Sequence, residues 1–373
     1  MKFEIKQNIL MEHLNYVIKG ISSKNIIPAL NCIKFELTNE GLYLTSNDNE
    51  LSIRTFIKKE DIDQIETCGE ILVAGKFIYE IVKKLPNTLI NIEEVVDNKI
   101  IISTDSSSFT LNCNNPSDFP NVDFDDSKTP ISISKKVFSN IIKQISFATS
   151  LQESRPILTG INLKIDNNKL ECTATDSYRL AKKVIELDSN NSENINIIIP
   201  TKNLIELTKL FNIDDDNLEM HIFNNKVIFK FNNIVFLTKL INGNFPDTSK
   251  LIPTEFETIV TLNNIDYYNA IDRASLLTSE EEKNIINLSL NKNKMKISSN
   301  IPEIGNVEEN LNVETIKGDN INISFSSKFM MDAIKSFDSE KIQLLFNGEI
   351  KPIILKNPES DELIQLIVPI RTY

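Results

Sequence analysis

Apolar residues at helical spacing occur in six segments of this chain, and each segment lies between short runs typical of β-strands. The helical segments cover residues 8–24, 75–85, 134–149, 201–211, 263–278 and 326–337. Turn residues separate the strand-like runs that follow each helix. This order predicts an α+β fold built from antiparallel meanders, in contrast to a wound parallel sheet.

The second and fourth segments show the predicted unit most clearly. Around the second, the sequence predicts a strand at 70–74, a helix at 76–85, and strands at 89–96, 99–104 and 107–113. The fourth gives the same order, with a strand at 195–199, a helix at 202–211, and strands at 218–223, 227–231 and 234–240. In the third helix, the residues expected to face the sheet are Val137, Phe138, Ile141, Ile142 and Ile145.

Each helical segment also carries a polar stripe at positions i, i+4 and i+7 that ends in a basic residue. These basic residues stand 60 to 66 residues apart, which indicates a repeated unit: Lys19, Lys83, Lys143, Lys209, Arg273 and Lys335. Four stripes also begin with lysine, at Lys76, Lys136, Lys202 and Lys328. In any single helix such a stripe is most simply a solvated face, so only the recurrence favours a shared function.

Proline landmarks repeat at twice the helix interval and group the half-units into pairs. Pro120 and Pro246 each follow a phenylalanine and are 126 residues apart. Pro369 lies 123 residues after Pro246. The polar, proline-containing segments 123–130 and 248–255 have the composition of linkers. We therefore predict three similar domains at residues 1–126, 127–253 and 254–373, as the length of 373 residues also suggests.

Charge is divided unevenly between the helical segments and the remaining chain. The 40 basic and 52 acidic residues give a net charge of −12, which argues against binding nucleic acid by bulk charge. However, the six segments hold 13 basic and 6 acidic residues, whereas the rest holds 27 basic and 46 acidic residues. If the helices share one surface, that surface is basic within an acidic body.

The sequence contains no recognisable catalytic motif. Neither His13 nor His221 has a serine or cysteine near it in an arrangement that would activate a nucleophile. The four cysteines are not spaced as in metal-binding or redox motifs. The sequence also contains no phosphate-binding loop and no dinucleotide-binding fingerprint. Asp176 and Arg179 lack a base or nucleophile beside them. We predict no catalytic residue, no cofactor and no metal site, and the absence of an apolar signal segment predicts a cytoplasmic protein with no membrane association.

Several short sequences, in order, resemble the bacterial sliding-clamp family, the β subunits of DNA polymerase III. They are Met1-Lys2-Phe3, Ile27-Pro28, Ala174-Thr175-Asp176 with Arg179-Leu180-Ala181, Phe245-Pro246-Asp247, and Val368-Pro369-Ile370-Arg371. The resemblance covers the whole chain. It implies three domains of the DNA clamp fold per chain and a head-to-tail homodimer that closes into a ring around duplex DNA.

The resemblance also implies a function and partners. Such a clamp slides on DNA of any sequence, tethers the replicative polymerase, and works in the bacterial cytoplasm at the nucleoid. Polymerase subunits, the clamp loader and repair proteins are expected to bind through short linear peptides. The alternative, from the repeats alone, is a protein-interaction scaffold without DNA binding, in which the lysine stripes are only solvated faces.

The resemblance places the partner-peptide pocket between the second and third domains. Its expected members are Arg155, Leu158, Thr175, Ser177, Tyr178, Arg179, Leu180, Pro246, Lys250, Leu251, Val368, Pro369, Ile370 and Arg371. The leucines, Val368 and Ile370 are expected to bury apolar anchors, while Arg179 and Arg371 hold polar or acidic groups. Many relatives have Gly-His where this chain has Ser177-Tyr178, which leaves peptide preference open.

Two further surfaces follow from the resemblance together with the stripes. The expected DNA contacts are Lys24, Lys76, Lys83, Lys136, Lys143, Gln152, Arg155, Lys202, Lys209 and Lys335. At the ring joint, Phe109 and Leu111 of the first domain are expected to meet Leu276 and Leu277 of the third domain of the other chain.

Overall fold

The computed structural model describes residues 1–22, 27–96, 98–212, 217–279, 284–291 and 294–371, with the backbone alone at 189–193. One α-helix forms at each of the six predicted segments, and the first begins one residue before its predicted segment. The helices are α1 (Gln7–Val17), α2 (Gly75–Lys84), α3 (Lys135–Ile145), α4 (Thr201–Thr208), α5 (Asn264–Ser275) and α6 (Ser327–Lys335). The first is shorter than predicted, because it tightens into a 3₁₀ turn at Ile18–Gly20.

Antiparallel strands surround these helices in the predicted order. In the described part of the chain they are β1 (Lys2–Lys6), β2 (Cys32–Leu37), β3 (Gly41–Asn47), β4 (Leu51–Lys58), β5 (Gln64–Thr67), β6 (Gly69–Ala74), β7 (Leu89–Val95), β8 (Lys99–Ser103), β9 (Ser108–Asn114), β10 (Ile131–Ser134), β11 (Gly160–Thr175), β12 (Arg179–Pro200), β13 (Asn217–Ile222), β14 (Lys226–Phe231), β15 (Ile234–Lys239), β16 (Thr258–Asn263), β17 (Ile285–Asn291), β18 (Lys294–Ile301), β19 (Gly305–Leu311), β20 (Thr315–Lys317), β21 (Ile321–Ser326), β22 (Lys341–Phe346), β23 (Ile353–Asn357) and β24 (Ser360–Ile367). The α+β meander prediction is confirmed.

The contacts of the chain divide it into two compact units. The first contains residues 1–136 and 206–240 and the second contains residues 137–205 and 241–373. The two units are defined by contacts between residues, whereas the three predicted domains are defined by repeats in the sequence. The two divisions therefore differ in the central part of the chain. The reason is strand pairing: β15 of the central part pairs with β4, and β12 pairs with β24.

One sheet of thirteen strands forms the first unit, in the order β10-β13-β14-β15-β4-β3-β2-β6-β9-β8-β7-β1-β5. Helix α1 packs against β3 and β4 and also against α2. Thr55 marks this helical face, since its hydroxyl hydrogen-bonds to His13 of α1 over 2.6 Å. Residues of β4 that alternate with Thr55 therefore point to the opposite face of the sheet.

The second unit holds two sheets, one of seven strands (β11-β12-β24-β23-β22-β16-β20) and one of four (β19-β18-β17-β21). Helices α5 and α6 pack against each other in this unit. Asn263 caps α5 by accepting a hydrogen bond from the Asp266 backbone amide, and Ser326 accepts one from the Phe329 amide at the start of α6.

The apolar face of α3 shows why these helices form. Phe138, Ile141, Ile142 and Ile145 are each no more than 1% exposed, and burying such a side chain contributes about 1.5 to 3 kcal/mol. The prediction that Val137 also faces inward was wrong, since it is 40% exposed. Val137 lies one residue before the i, i+3, i+4, i+7 row, and one helical residue is a rotation of about 100°.

Helices in the described part of the chain all fall short of the length and apolar content that crossing a bilayer requires.

Candidate functional site

The polar stripes lie on the exposed sides of the helices. All the residues expected to contact DNA are exposed in the single chain, apart from Lys24, which lies outside the described residues. The exposed set is Lys76, Lys83, Lys136, Lys143, Gln152, Arg155, Lys202, Lys209 and Lys335. An exposed ammonium group on a flexible stem suits contact with phosphates without reading base sequence.

Two of the six basic residues that end the stripes are engaged within the protein. The Lys19 ammonium donates to the carbonyl oxygen of Lys209 over 2.7 Å, just beyond the end of α4, and burial lowers its pKa. The Arg273 guanidinium forms two hydrogen bonds of 2.8 and 2.9 Å with the Glu309 carboxylate. Their positive charges are therefore partly used inside the chain.

The other stripe lysines make weaker internal contacts. Lys83 lies 5.5 Å from the ring centroid of Tyr79, and Lys335 lies 5.0 Å from that of Tyr268, whose hydroxyl raises the pKa of Lys335 by hydrogen bonding. Lys209 forms an ion pair of 2.8 Å with Glu206, the middle residue of its own stripe. Exposed pairs of this kind are worth little and exchange readily with solvent or phosphate.

Two adjoining cavities lie in the second unit at the predicted partner pocket. The first, here called the C-terminal cavity, has a volume of about 570 Å³, and its lining includes Val368, Pro369, Ile370 and Arg371. The second, here called the loop cavity, has a volume of about 320 Å³, and its lining includes residues 149–152 with Arg155 and Leu158. Tyr178, Lys328 and Phe329 line both cavities.

The structure brings eight of the fourteen expected pocket residues to these cavities: Arg155, Leu158, Tyr178, Arg179, Val368, Pro369, Ile370 and Arg371. Leu180 packs instead in a core cluster with Leu345, Ile354 and Leu366. Thr175 and Ser177 shape the turn before β12, and Pro246, Lys250 and Leu251 are exposed residues outside both linings.

That turn is built from side-chain hydrogen bonds. The Asp176 carboxylate accepts from the backbone amides of Tyr178 and Arg179 over 2.9 and 3.0 Å. Ser177 has a φ of +80°, in the left-handed region that glycine adopts without strain. The result is that Tyr178 stands 61% exposed between the two cavities.

Arg179 lines the loop cavity with its charge already neutralised. Its guanidinium donates to Asp176 over 2.9 Å and to Asp332 of α6 over 2.7 Å. It also stacks near the rings of Phe147 and Phe329, 5.3 and 4.4 Å from their centroids. Arg179 is therefore a structural cation, and the charges available to a ligand here are those of Lys328, Arg155 and Arg371.

Sequence reasoning missed Lys328 and Phe329 as pocket residues, together with Ser326 and Asn284. Lys328 was assigned only to a polar stripe, although the aromatic residue beside it, Phe329, indicated a binding surface. Aromatic residues are enriched at protein interfaces relative to the rest of the surface.

Each unit also presents a strand with an open edge. Residues 108–112 of β9 pair with β8 on one side, while β6 reaches only Cys113 and Asn114 on the other. In the second unit, β19 pairs with β18 alone among the described strands. Phe109 is 39% exposed on β9, and Leu276 is 78% exposed at the end of α5, which packs against β19.

The side chains whose chemistry would suit catalysis or metal binding are buried or held in structural contacts. His221 donates from Nδ1 to the Lys128 carbonyl over 2.7 Å, and burial lowers the pKa of His13. Burial raises the pKa of the Cys113 thiol to about 12. Across the described ranges, no group of three or more His, Cys, Asp or Glu side chains has an arrangement suited to a metal ion.

Comparison with known proteins gives one consistent family over the whole chain. Family models match as the DNA polymerase III beta subunit N-terminal domain at residues 1–123, the central domain at 132–247 and the C-terminal domain at 249–371. The beta sliding clamp of Staphylococcus epidermidis is 40% identical over 377 residues, with 100% of both sequences covered. The DNA polymerase sliding clamp of Bacillus subtilis is 38% identical, with a TM-score of 0.97, and the DNA polymerase III beta chain of Streptococcus pneumoniae is 34% identical, with a TM-score of 0.96, each covering 100% of both chains.

Proposed function

Because the chain belongs to the family of bacterial DNA polymerase III β subunits, the sliding clamps, we propose that it encircles duplex DNA as a head-to-tail homodimer and tethers a polymerase to its template. In this role it is a processivity factor and has no reaction of its own. The observation that carries the proposal is the full-length family match together with the exposed lysines of the repeated helices.

A lysine-lined surface in an acidic protein suits this role. Phosphate contacts supply attraction without sequence preference, so the protein remains free to move along the duplex. The net charge of −12 discourages DNA from binding elsewhere on the surface. Enclosure by the ring then replaces tight binding as the source of retention.

The test is retention on closed circular DNA compared with the same DNA after one double-strand cut. The clamp is loaded at low salt and passed over a sizing column in about 0.15 M salt, where exposed charges are screened beyond about 8 Å. We expect the protein to travel with circular DNA and to be lost from cut DNA. Equal retention on both forms would contradict enclosure.

We also propose that partner peptides bind across the C-terminal and loop cavities, whose combined size suits a short linear segment. The lining is mainly apolar in the C-terminal cavity and mixed in the loop cavity. Tyr178 and Phe329 would pack against its apolar side chains, and Lys328 would attract its acidic groups. Pro246, Lys250 and Leu251 remain proposed contacts at the rim. Polymerase subunits, the clamp loader and repair proteins are the proposed sources of the peptide.

Replacing Lys328 with glutamate tests this assignment, because the residue lines both cavities and is exposed at the start of α6. We expect K328E to weaken binding of an acidic polymerase-derived peptide about tenfold, the scale of one charge-assisted contact. Lys351 is an exposed lysine outside the linings of both cavities, and K351E serves as the matched control. Equal peptide affinity for the two variants, measured by fluorescence anisotropy, would remove Lys328 from the site.

The ring joint is proposed at the two open strand edges, with Phe109 and Leu111 of one chain against Leu276 and Leu277 of the other. Pairing would cover the free backbone groups of β9 and β19, and the exposed apolar side chains would be buried beside them. The domain limits 1–126, 127–253 and 254–373 and a cytoplasmic location at the nucleoid complete the proposal.

A further inference from the structure

Residues 116–124, here called the strap, cross one face of the thirteen-stranded sheet. Phe119 packs against Ala29, Cys32 and Leu72 near β2 and β6. At the other end, the Asp123 carboxylate accepts from Lys226 of β14 over 2.6 Å. This face lies opposite the one that packs against α1, because Arg54 of β4 alternates with Thr55.

A groove of about 470 Å³, here called the strap groove, lies between the strap and the sheet. Phe119, Val122 and Phe124 contribute apolar walls, and Lys34, Thr45 and Arg54 are among the polar residues of the sheet that line it. A groove of this size accommodates several side chains of a ligand. No function described above makes use of it.

The Arg54 guanidinium is the unusual feature of the groove. It lies 4.2 Å from the ring centroid of Phe124 and 5.6 Å from that of Tyr43, and burial lowers its pKa. It makes no hydrogen bond or ion pair with the residues that the structure describes. Five N–H donors in a fixed plane, beside two aromatic rings, form a binding element for a planar acceptor.

The charges around Arg54 favour a carboxylate over a phosphate. Lys34 is already paired with Glu70 over 2.9 Å and lies 3.6 Å from Glu36. Both carboxylates line the groove, so a ligand with two negative charges would meet more repulsion than one with a single charge. A carboxylate fits the fork of Arg54 in bidentate geometry and leaves the Lys34 pairs intact.

The strap itself favours a peptide as the source of that carboxylate. Backbone-to-backbone hydrogen bonds are absent at residues 120–124, all of which are described. The Asp123 carbonyl accepts from the Lys226 ammonium over 2.6 Å and Pro120 has no N–H, but the backbone groups of Asn121, Val122 and Phe124 can pair with an extended peptide, as a strand edge does. Apolar side chains beside the carboxylate would then pack against Phe119, Val122 and Phe124.

We propose that the strap groove is a second docking site for a partner protein, which presents an extended segment with one acidic residue between apolar ones. The acidic residue pairs with Arg54, and its neighbours occupy the apolar walls. Since this sheet face is opposite α1 and α2, the groove stays accessible when those helices contact DNA. The groove shares no lining residue with the C-terminal and loop cavities.

The test uses fluorescein-labelled heptapeptide libraries with the full-length protein. Each library has leucine, isoleucine or phenylalanine beside a fixed central residue, which is glutamate, glutamine or phosphoserine. We expect the glutamate library to bind about tenfold tighter than the glutamine library, and tighter than the phosphoserine library. Equal binding of the first two would overturn the proposal, as would tightest binding of phosphoserine.

Two variants assign the preference to a site. Both variants are made in K328E protein, so that the acidic-peptide site proposed at the C-terminal and loop cavities contributes little. In this background R54Q should abolish the preference for glutamate; an unchanged preference would place the binding outside the strap groove and refute the proposal. R54K keeps the charge but loses the fork, so it should reduce the preference several-fold even if R54Q folds poorly. An unreduced preference in R54K would refute bidentate pairing.

R54Q should be retained on circular DNA as the wild type is, which separates this test from that of the clamp function.

Discussion

Arg155 and Arg179 line the same cavity but are held in different ways. Arg155 is exposed and makes one long contact, 3.4 Å from its guanidinium to the Ser177 hydroxyl. The side chain of Arg179 is only 12% exposed and is fixed by two carboxylates. The first is free to meet a ligand, whereas the second holds α6 against the turn before β12.

We therefore expect opposite effects from removing the two side chains. R179A leaves the Asp176 and Asp332 carboxylates without their cation, and losing one partner of a largely buried pair costs about 2 to 4 kcal/mol. R155A should change the free energy of unfolding by no more than about 0.5 kcal/mol, as is usual at exposed sites. Urea unfolding of both variants measures the difference. A midpoint for R179A close to that of R155A would show that the network contributes no stability.

At the same scale, the sequence predicted some pocket residues and not others for a physical reason. The terminal Val368-Pro369-Ile370-Arg371 run was recognisable because it is contiguous. Lys328 and Phe329 reach the cavities only through tertiary packing, since α6 is tied to the turn by Asp332 and Arg179. A polar stripe records which side of a helix is solvated, but not which part of the solvated side borders a cavity.

Among the structural elements, the helices and meanders were largely predictable because their signals are local. The predicted strands 89–96, 99–104 and 107–113 match β7, β8 and β9 to within one residue at each end. Helical period and turn residues are read within a few positions. The pairing of β4 with β15 was not predictable in this way, since it joins residues about 180 positions apart and leaves no local pattern.

The strap is an element whose position should depend on pH. Hydrogen bonds from Lys226 and Lys230 lower the pKa values of Asp123 and Asp126 below the ordinary 3.8. A carboxyl whose pKa is lowered by folding stabilises the fold above its unfolded pKa, and the contribution is lost as the pH falls through the folded pKa. The anchoring should therefore persist at pH 6 and weaken below about pH 4.

The ring of Phe124 is a probe of the strap's position, because it stacks on Arg54 of the sheet. We expect its aromatic NMR signals to stay constant from pH 7 to 5 and to shift below pH 4, while the lysines remain charged. K226A should produce part of the same shift at pH 7. Constant Phe124 signals down to pH 3 in a folded protein would show that the carboxylates do not hold the strap.

For the whole molecule, the open edges of β9 and β19 lead to a prediction about assembly. Leu276 is 78% exposed in the single chain, so replacing it should not disturb the monomer. L276D places a charge in the proposed joint, and burying an unpaired charge is costly. We expect the dimer to dissociate at least tenfold more readily and the protein to lose retention on circular DNA.

Analytical ultracentrifugation measures the dissociation, and Ile350 provides the control. Ile350 is also apolar and 66% exposed, but it lies away from both open edges in the sequence, between β22 and β23. I350D should remain dimeric and retained on circular DNA. If L276D dimerises as tightly as I350D, the joint lies elsewhere.

The seven-stranded sheet has a consequence for how the protein is made. Its strand β12 pairs on one side with β11 and on the other with β24, the last of the described strands. A ribosome synthesises the chain from the amino end, so β12 emerges long before its second partner exists. The edge of β12 must therefore remain unpaired, and protected from other chains, until residues 360–367 have been synthesised. Only then can the part of the sheet that forms first, β11 with β12, join the part that contains β23 and β22.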